Sequence, residues 1–179
     1  MLRLENTMLI VIDIQGNLYG SMHEKDLLLE NLKKIIWGAH VFELPILVTE
    51  QIPEKIGPTI SDLAELLPDI TPVPKASFSC CQDAGFMKEL GAINRGQILI
   101  TGIECHVCVY QTTLDLIDMG YEVNLVADCV SSRTPDNKTI GIESMIHHGA
   151  KLTSMEMALF ELMKTAEEER FSKMIKIVK

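Results

Sequence analysis

Short apolar runs rich in β-branched residues alternate with longer segments of helical spacing along the whole chain, and this rhythm restricts the fold more than any other feature. The clearest runs are Met8 to Ile12, closed by Asp13, then Ile46 to Val48, Ile98 to Ile100 and Val123 to Val126. Weaker ones lie at Thr71 to Val73 and Ala150 to Leu152. Strands that are apolar throughout are buried on both faces, which predicts a parallel sheet with helices above and below it. The intervening stripes fit helices: Leu27, Leu28, Leu32, Ile35 and Ile36; Leu63, Leu66 and Leu67; Val109, Thr113, Leu116 and Ile117, ended by Gly120. Asp136 or Asn137 is the expected cap of a further helix through His147, with Gly149 ending it. The expectation is a doubly wound α/β fold, with a mostly parallel sheet of about six strands and helices on both faces. Right-handed crossovers limit its topology further.

A chain of 179 residues is the length of one domain, so residues 1–179 are read as a single unit. Its last segment, about 168–178, places Phe171, Met174, Ile175 and Val178 at i, i+3, i+4, i+7 with lysines between them. That is an amphipathic helix, packed on this domain or on a neighbouring subunit. A formal net charge of −9 argues against nucleic acid or an anionic membrane surface as partner, since both require clustered Lys and Arg. The start, MLRLENTMLIVIDIQ, lacks the apolar core of a secretory signal, and no stretch is apolar enough to span a bilayer. Cysteines at 80, 81, 105, 108 and 129, an odd number, suit reduced thiols better than a disulfide framework. The expected compartment is the cytoplasm. The Asn137-Lys138-Thr139 glycosylation triplet is then a chance match.

In open α/β sheets, functional groups collect past the carboxyl ends of the strands. Asp13 follows the first run, Lys75 the weak third one, and Cys108 the Ile98-Leu-Ile-Thr-Gly102 segment. Together they make a coherent set. A thiol near a helix N-terminus and an ammonium gains thiolate character, a carboxylate can move its proton, and backbone N–H groups of the turn from Gly102 can hold an oxyanion. Cys105 and Cys108 also form C-x-x-C, which by itself is open to a thiol–disulfide reading. The adjacent Cys80-Cys81 pair is a poor second half for a tetrahedral zinc site, so no metal is expected. Arg133 is open to binding a substrate carboxylate or pairing with an acidic side chain.

The segment Gly102-Ile-Glu-Cys-His-Val-Cys108-Val109, followed by Thr112-Thr-Leu-Asp115, resembles the nucleophile segment of the isochorismatase-like cysteine hydrolases. So do Asp13-Ile-Gln15, Pro72-Val-Pro-Lys75-Ala-Ser-Phe78 and Ala127-Asp-Cys-Val-Ser-Ser-Arg133, in the family's order, from about residue 5 to 163. The resemblance implies a Cys108, Asp13 and Lys75 triad, a covalent acyl-enzyme, a cis Ile103–Glu104 peptide and an oxyanion hole of the Glu104 and Cys108 N–H groups. By the same resemblance, Cys108 points to the amidase-like branch, with nicotinamidase and N-carbamoylsarcosine amidase. Thr49 to Glu54 lacks the histidines of the nicotinamidase metal site, so neither a metal nor another cofactor is implied. The chain is most similar to isochorismatase-domain proteins of unsettled function. Gln15, Gln51, Phe78, His106 and Thr112 are the candidate pocket residues.

The expected function is a cysteine hydrolase acting on a small amide or related acyl compound, assembled as a homo-oligomer. The alternatives are a non-enzymatic oligomeric scaffold that keeps the fold, and a thiol–disulfide oxidoreductase using Cys105 and Cys108.

Overall fold

The computed structural model describes residues 1–167 and 169–179. Six strands form one sheet: β1 (Thr7–Ile12), β2 (Ile46–Gln51), β3 (Val73–Lys75), β4 (Gln97–Gly102), β5 (Glu122–Val130) and β6 (Lys151–Thr153). Their order is β3-β2-β1-β4-β5-β6, and every pairing between them is parallel. The crossovers carry α1 (Gly16–Gly20), α2 (Lys25–Val41), α3 (Pro53–Ile56), α4 (Ser61–Ala64), α5 (Ala84–Ile93), α6 (Tyr110–Asp118) and α7 (Pro135–His147), and α8 (Met155–Met163) and α9 (Phe171–Val178) follow β6.

The sheet's two faces support two separate cores. Leu9 and Val11 of β1 join Val48, Leu99 and Val126 under α2, α8 and α9, against Leu32, Ile36, Leu159 and Met174. Met8, Ile10 and Ile12 join Ile98, Ile100 and Leu125 on the opposite face, against Phe86, Leu90, Leu116 and Met145 of α5, α6 and α7. All six β1 residues are buried, which is why the run shows no polar alternation even though successive side chains enter different cores. Side-chain oxygens cap several helices: Asp83 accepts from the Phe86 N–H and Ser154 from the Met157 N–H.

Several expected boundaries shift. β3 lies two residues later than the Thr71 to Val73 run, because Thr49 to Gln51 of β2 pair with Val73 to Lys75. Asp128 to Val130 belong to β5, which extends past the expected Val126. Helix α7 is capped by Thr134, whose hydroxyl accepts from the Asn137 N–H while Pro135 occupies the first turn. Neither Asp136 nor Asn137 is the cap. Leu27 points to solvent rather than into the α2 stripe, and Leu66 and Leu67 fall in turns beyond the short α4. Gly120 and Gly149 follow α6 and α7 with φ of 88° and 108°, as the spacing predicts.

The terminal helix begins at Phe171; the expected position 168 lies outside the described residues. It packs on its own chain, with Met174 fully buried in the α2 and α8 core. Among the described residues no helix is long and apolar enough to cross a membrane.

Candidate active site

The strand order reverses between β1 and β4, the switch point beyond whose carboxyl ends open α/β sheets place their functional groups. Asp13 stands on this seam. Its φ of 54° turns the chain out of β1, and its side chain is fully buried. One carboxylate oxygen, Oδ1, accepts from the Thr49 hydroxyl at 2.7 Å. The other, Oδ2, accepts from the Lys75 ammonium at 2.7 Å.

Lys75 reaches this point from the last residue of β3, two strands away. Its ammonium also donates to Gln51 Oε1 at 2.6 Å and to the Ser77 carbonyl at 3.1 Å. Burial, the largest single influence, lowers its pKa, but the Asp13 carboxylate together with Cys80 and Cys108 raises it overall. The loop that supplies the Ser77 carbonyl is pinned to α6 at two points. The Ser79 hydroxyl donates to Asp115 Oδ2 at 2.6 Å, and the Cys80 N–H donates to the Thr112 hydroxyl at 3.0 Å.

Cys108 lies in a π-helical turn, Cys105–Val109, that leads into α6. Gly102 brings this turn to the seam: its φ is 121°, and a Cβ there would stand 2.2 Å from the Ile12 carbonyl oxygen. Only glycine permits that approach of β4 to β1. The Ile103–Glu104 peptide is cis, as the resemblance implies. The Cys105 N–H donates to the Ser131 carbonyl at 2.7 Å, whereas the Glu104 N–H donates to no group among the described residues. The Glu104 carboxylate accepts from Arg133 Nε at 2.8 Å, so of the two roles open to Arg133 the structure shows the acidic partner.

Cys108 is 6% exposed, and its sulfur lies 4.0 Å from Gln51 Oε1. Burial pushes this thiol up to about 12, the Asp13 carboxylate adds to the rise, and the Lys75 ammonium only opposes it. The helix start and the nearby ammonium favour the thiolate, and burial works against both. Desolvation wins because the site admits so little water.

Gln51 therefore sits inside the constellation rather than at its edge. Gln15 is fully buried, and its side chain is spent on backbone: it accepts from the Gln51 N–H at 2.6 Å and donates to the Gln51 and Gly57 carbonyls at 3.1 and 2.6 Å. Thr112 is fully buried against Cys80. Phe78 is 56% exposed beside the Lys75 loop, and His106, half-buried, has Nδ1 at 2.9 Å from the Ser132 hydroxyl. Thr49 was not singled out in the sequence. Its signal was there, a hydroxyl closing the apolar Ile46 to Val48 run, opposite Ile12 in the parallel register.

Cys105 and Cys108 do not form an accessible dithiol. The Cys105 thiol is fully buried, its sulfur 3.6 Å from the Lys138 carbonyl while that of Cys108 faces Gln51, and burial pushes it up to about 12. A cavity of about 610 Å³ lies elsewhere, between β2, β3 and α5, lined by Leu47, Val73, Lys88 and Ile93 among others. Among the described residues no group of His, Cys, Asp and Glu could hold a metal ion.

Comparison with known proteins agrees with the motifs. The isochorismatase domain family matches residues 7–157. The secreted isochorismatase effector Isc1 of Phytophthora sojae is 32% identical over 178 residues, covering 97% of this chain and 85% of its own. The MAR1 ribonuclease structure from Caenorhabditis elegans is 30% identical, with a TM-score of 0.92 over 99% of this chain and 91% of that one. The Escherichia coli YcaC gene product, an octameric hydrolase of unknown specificity, shares the fold at 21% identity, with a TM-score of 0.93 over 98% and 89% of the two chains. With the nucleophile-segment motif on the seam of the parallel sheet and a family match along most of its length, this chain belongs to the isochorismatase-like cysteine hydrolase family.

Proposed function

We propose that this protein is a cysteine hydrolase that opens a small amide or related acyl compound through a covalent intermediate on Cys108. The observation that carries the reading is the buried Asp13–Lys75 ion pair, 2.7 Å long, set beside the thiol at the switch point of the sheet. In this reading Asp13 takes the thiol proton as sulfur attacks the acyl carbon. The oxyanion that forms is held by the N–H groups of Glu104 and Cys108, and the unpartnered Glu104 N–H supports that role. Collapse breaks the bond to the leaving group, which departs with the proton held on Asp13. Water then attacks the thioester, gives its proton to Asp13, and releases the acid as the proton returns to sulfur. Lys75 pairs with Asp13 and offsets charge on sulfur.

The raised thiol value fits this order of events, because proton removal is coupled to attack instead of preceding it. The unit proposed to act is residues 1–179, in a reducing cytoplasmic compartment suited to five free thiols. Assembly from several copies is part of the proposal, with the octameric YcaC as its support.

The test is acyl trapping. The full chain is mixed with a panel of small amides and activated esters, quenched in acid and mapped by peptide mass. The expected result is an acyl group on Cys108 in wild type and its loss in Asp13→Asn. A panel that leaves Cys108 unmodified and yields no turnover would sink the hydrolase reading and favour the scaffold.

A further inference from the structure

Gln51 makes contacts that the triad alone does not explain. Its side-chain oxygen is 2.6 Å from the Lys75 ammonium and 4.0 Å from the Cys108 sulfur. Its side-chain nitrogen donates to the Ala76 carbonyl at 2.7 Å. That pairing fixes the amide's orientation, because turning it over would set an NH₂ against an ammonium and an oxygen against a carbonyl. The backbone is fixed as well. Gln15 accepts from the Gln51 N–H and donates to the Gln51 carbonyl, so its side chain acts like a neighbouring strand.

We propose that Gln51 is a positioning residue of this site: its side-chain oxygen anchors the Lys75 ammonium beside Asp13 and within reach of the Cys108 thiol. The inference rests on the hydrolase reading and assigns a residue outside the triad. An ammonium has three protons. Asp13 Oδ2, Gln51 Oε1 and the Ser77 carbonyl accept at 2.7, 2.6 and 3.1 Å, with the Phe78 carbonyl further off at 3.4 Å, which leaves none aimed at sulfur. Lys75 therefore acts on Cys108 through its charge, from a position that Gln51 fixes. The acceptor must also be neutral. A carboxylate in its place would draw the ammonium off Asp13 and set a second negative charge beside the thiol, disfavouring its ionisation. An apolar side chain of the same length would release one ammonium proton toward sulfur and favour the thiolate.

The measurement is the pH profile of Cys108 alkylation by iodoacetamide, read by peptide mass on the full chain. Gln51→Met is expected to move the profile down by about one pH unit, so that alkylation near pH 8 rises about tenfold. Gln51→Glu is expected to move it up by a similar amount. A Gln51 that merely supports the fold would shift the urea midpoint of both variants and leave their alkylation profiles on that of wild type; this result overturns the proposal. Lys75→Ala and Asp13→Asn separate the two readings. Should they move the profile while the Gln51 variants do not, only the role of Gln51 fails. Should none of the four move it, the hydrolase reading fails too. If Gln51→Met does not fold, the isosteric Gln51→Glu decides alone: an upward move supports the role, and an unmoved profile overturns it.

Discussion

The Lys75 ammonium and the Asp13 carboxylate have no share of bulk water, both side chains being 0% exposed, so each charge depends on the other. An unpaired buried charge is more costly than a missing pair. Asp13→Asn and Lys75→Met are each expected to lower stability by about 3–5 kcal/mol at pH 7. The double variant Asp13→Asn/Lys75→Met is expected to lose clearly less than the sum of the two, since no orphan charge remains. Urea unfolding of the four proteins measures this coupling, and simple additivity would mean that water reaches the pair. Thr49→Val removes one hydrogen bond to Asp13 while leaving the ion pair, with an expected loss of about 1 kcal/mol.

Helix α7 serves the site without supplying a side chain to the ion pair. It packs on the π turn through Gly141, where a Cβ would stand 3.1 Å from the Cys105 carbonyl oxygen and from the His106 N and Cα atoms. These are backbone atoms, so the turn itself must give way to any larger residue. Gly141→Ala is expected to cost about 1–3 kcal/mol and to slow acylation of Cys108 as the turn shifts. Thr134→Ala, which removes the cap of the same helix, is expected to cost about 1 kcal/mol and leave that acylation rate unchanged. Comparing the two separates helix stability from turn geometry. The long buried strands were legible as elements because Met8 to Ile12 and Ile98 to Ile100 have no polar interruption. β3 was placed two residues early because three residues with a central proline carry no period, and only pairing with β2 sets their limits. The cap of α7 was misassigned because Thr134, Asp136 and Asn137 are all good caps, and Pro135 at the first turn decides among them.

Five buried thiols give the whole molecule a marked alkaline weakness. Burial pushes Cys80 up to about 11 and Cys81, Cys105 and Cys108 up to about 12, and raises Cys129 also. The unfolded chain gives up these protons from about pH 8.5, while the folded chain keeps them. The folded state then holds more protons, so stability falls as pH rises, by up to about 1.4 kcal/mol per pH unit for each thiol. Lys75, also raised, has the same sign: its contribution is complete below its unfolded value and is lost as pH rises through the folded one. Urea midpoints are expected to drop steeply between pH 8 and 10, less so in Cys129→Ala; a flat profile would mean that the thiols ionise freely in the folded chain. At this scale the sequence named the three polar residues at strand ends and their meeting at one end of the sheet. It named Gln15 and Gln51 as pocket candidates but did not disclose that Gln51 binds the Lys75 ammonium or that Gln15 is spent on backbone. Burial from several crossovers at once sets those, and no single segment records it.

The central seat of β1, between a strand made before half the chain exists and one made after it, bears on synthesis. A growing polypeptide that has not reached Gln97 can join Asp13 to Lys75 but holds no Cys108, and one flank of β1 stays uncovered until β4 arrives. On the proposed hydrolase reading, any piece cleaved off before β4 holds the ion pair without its thiol and is expected to be unreactive.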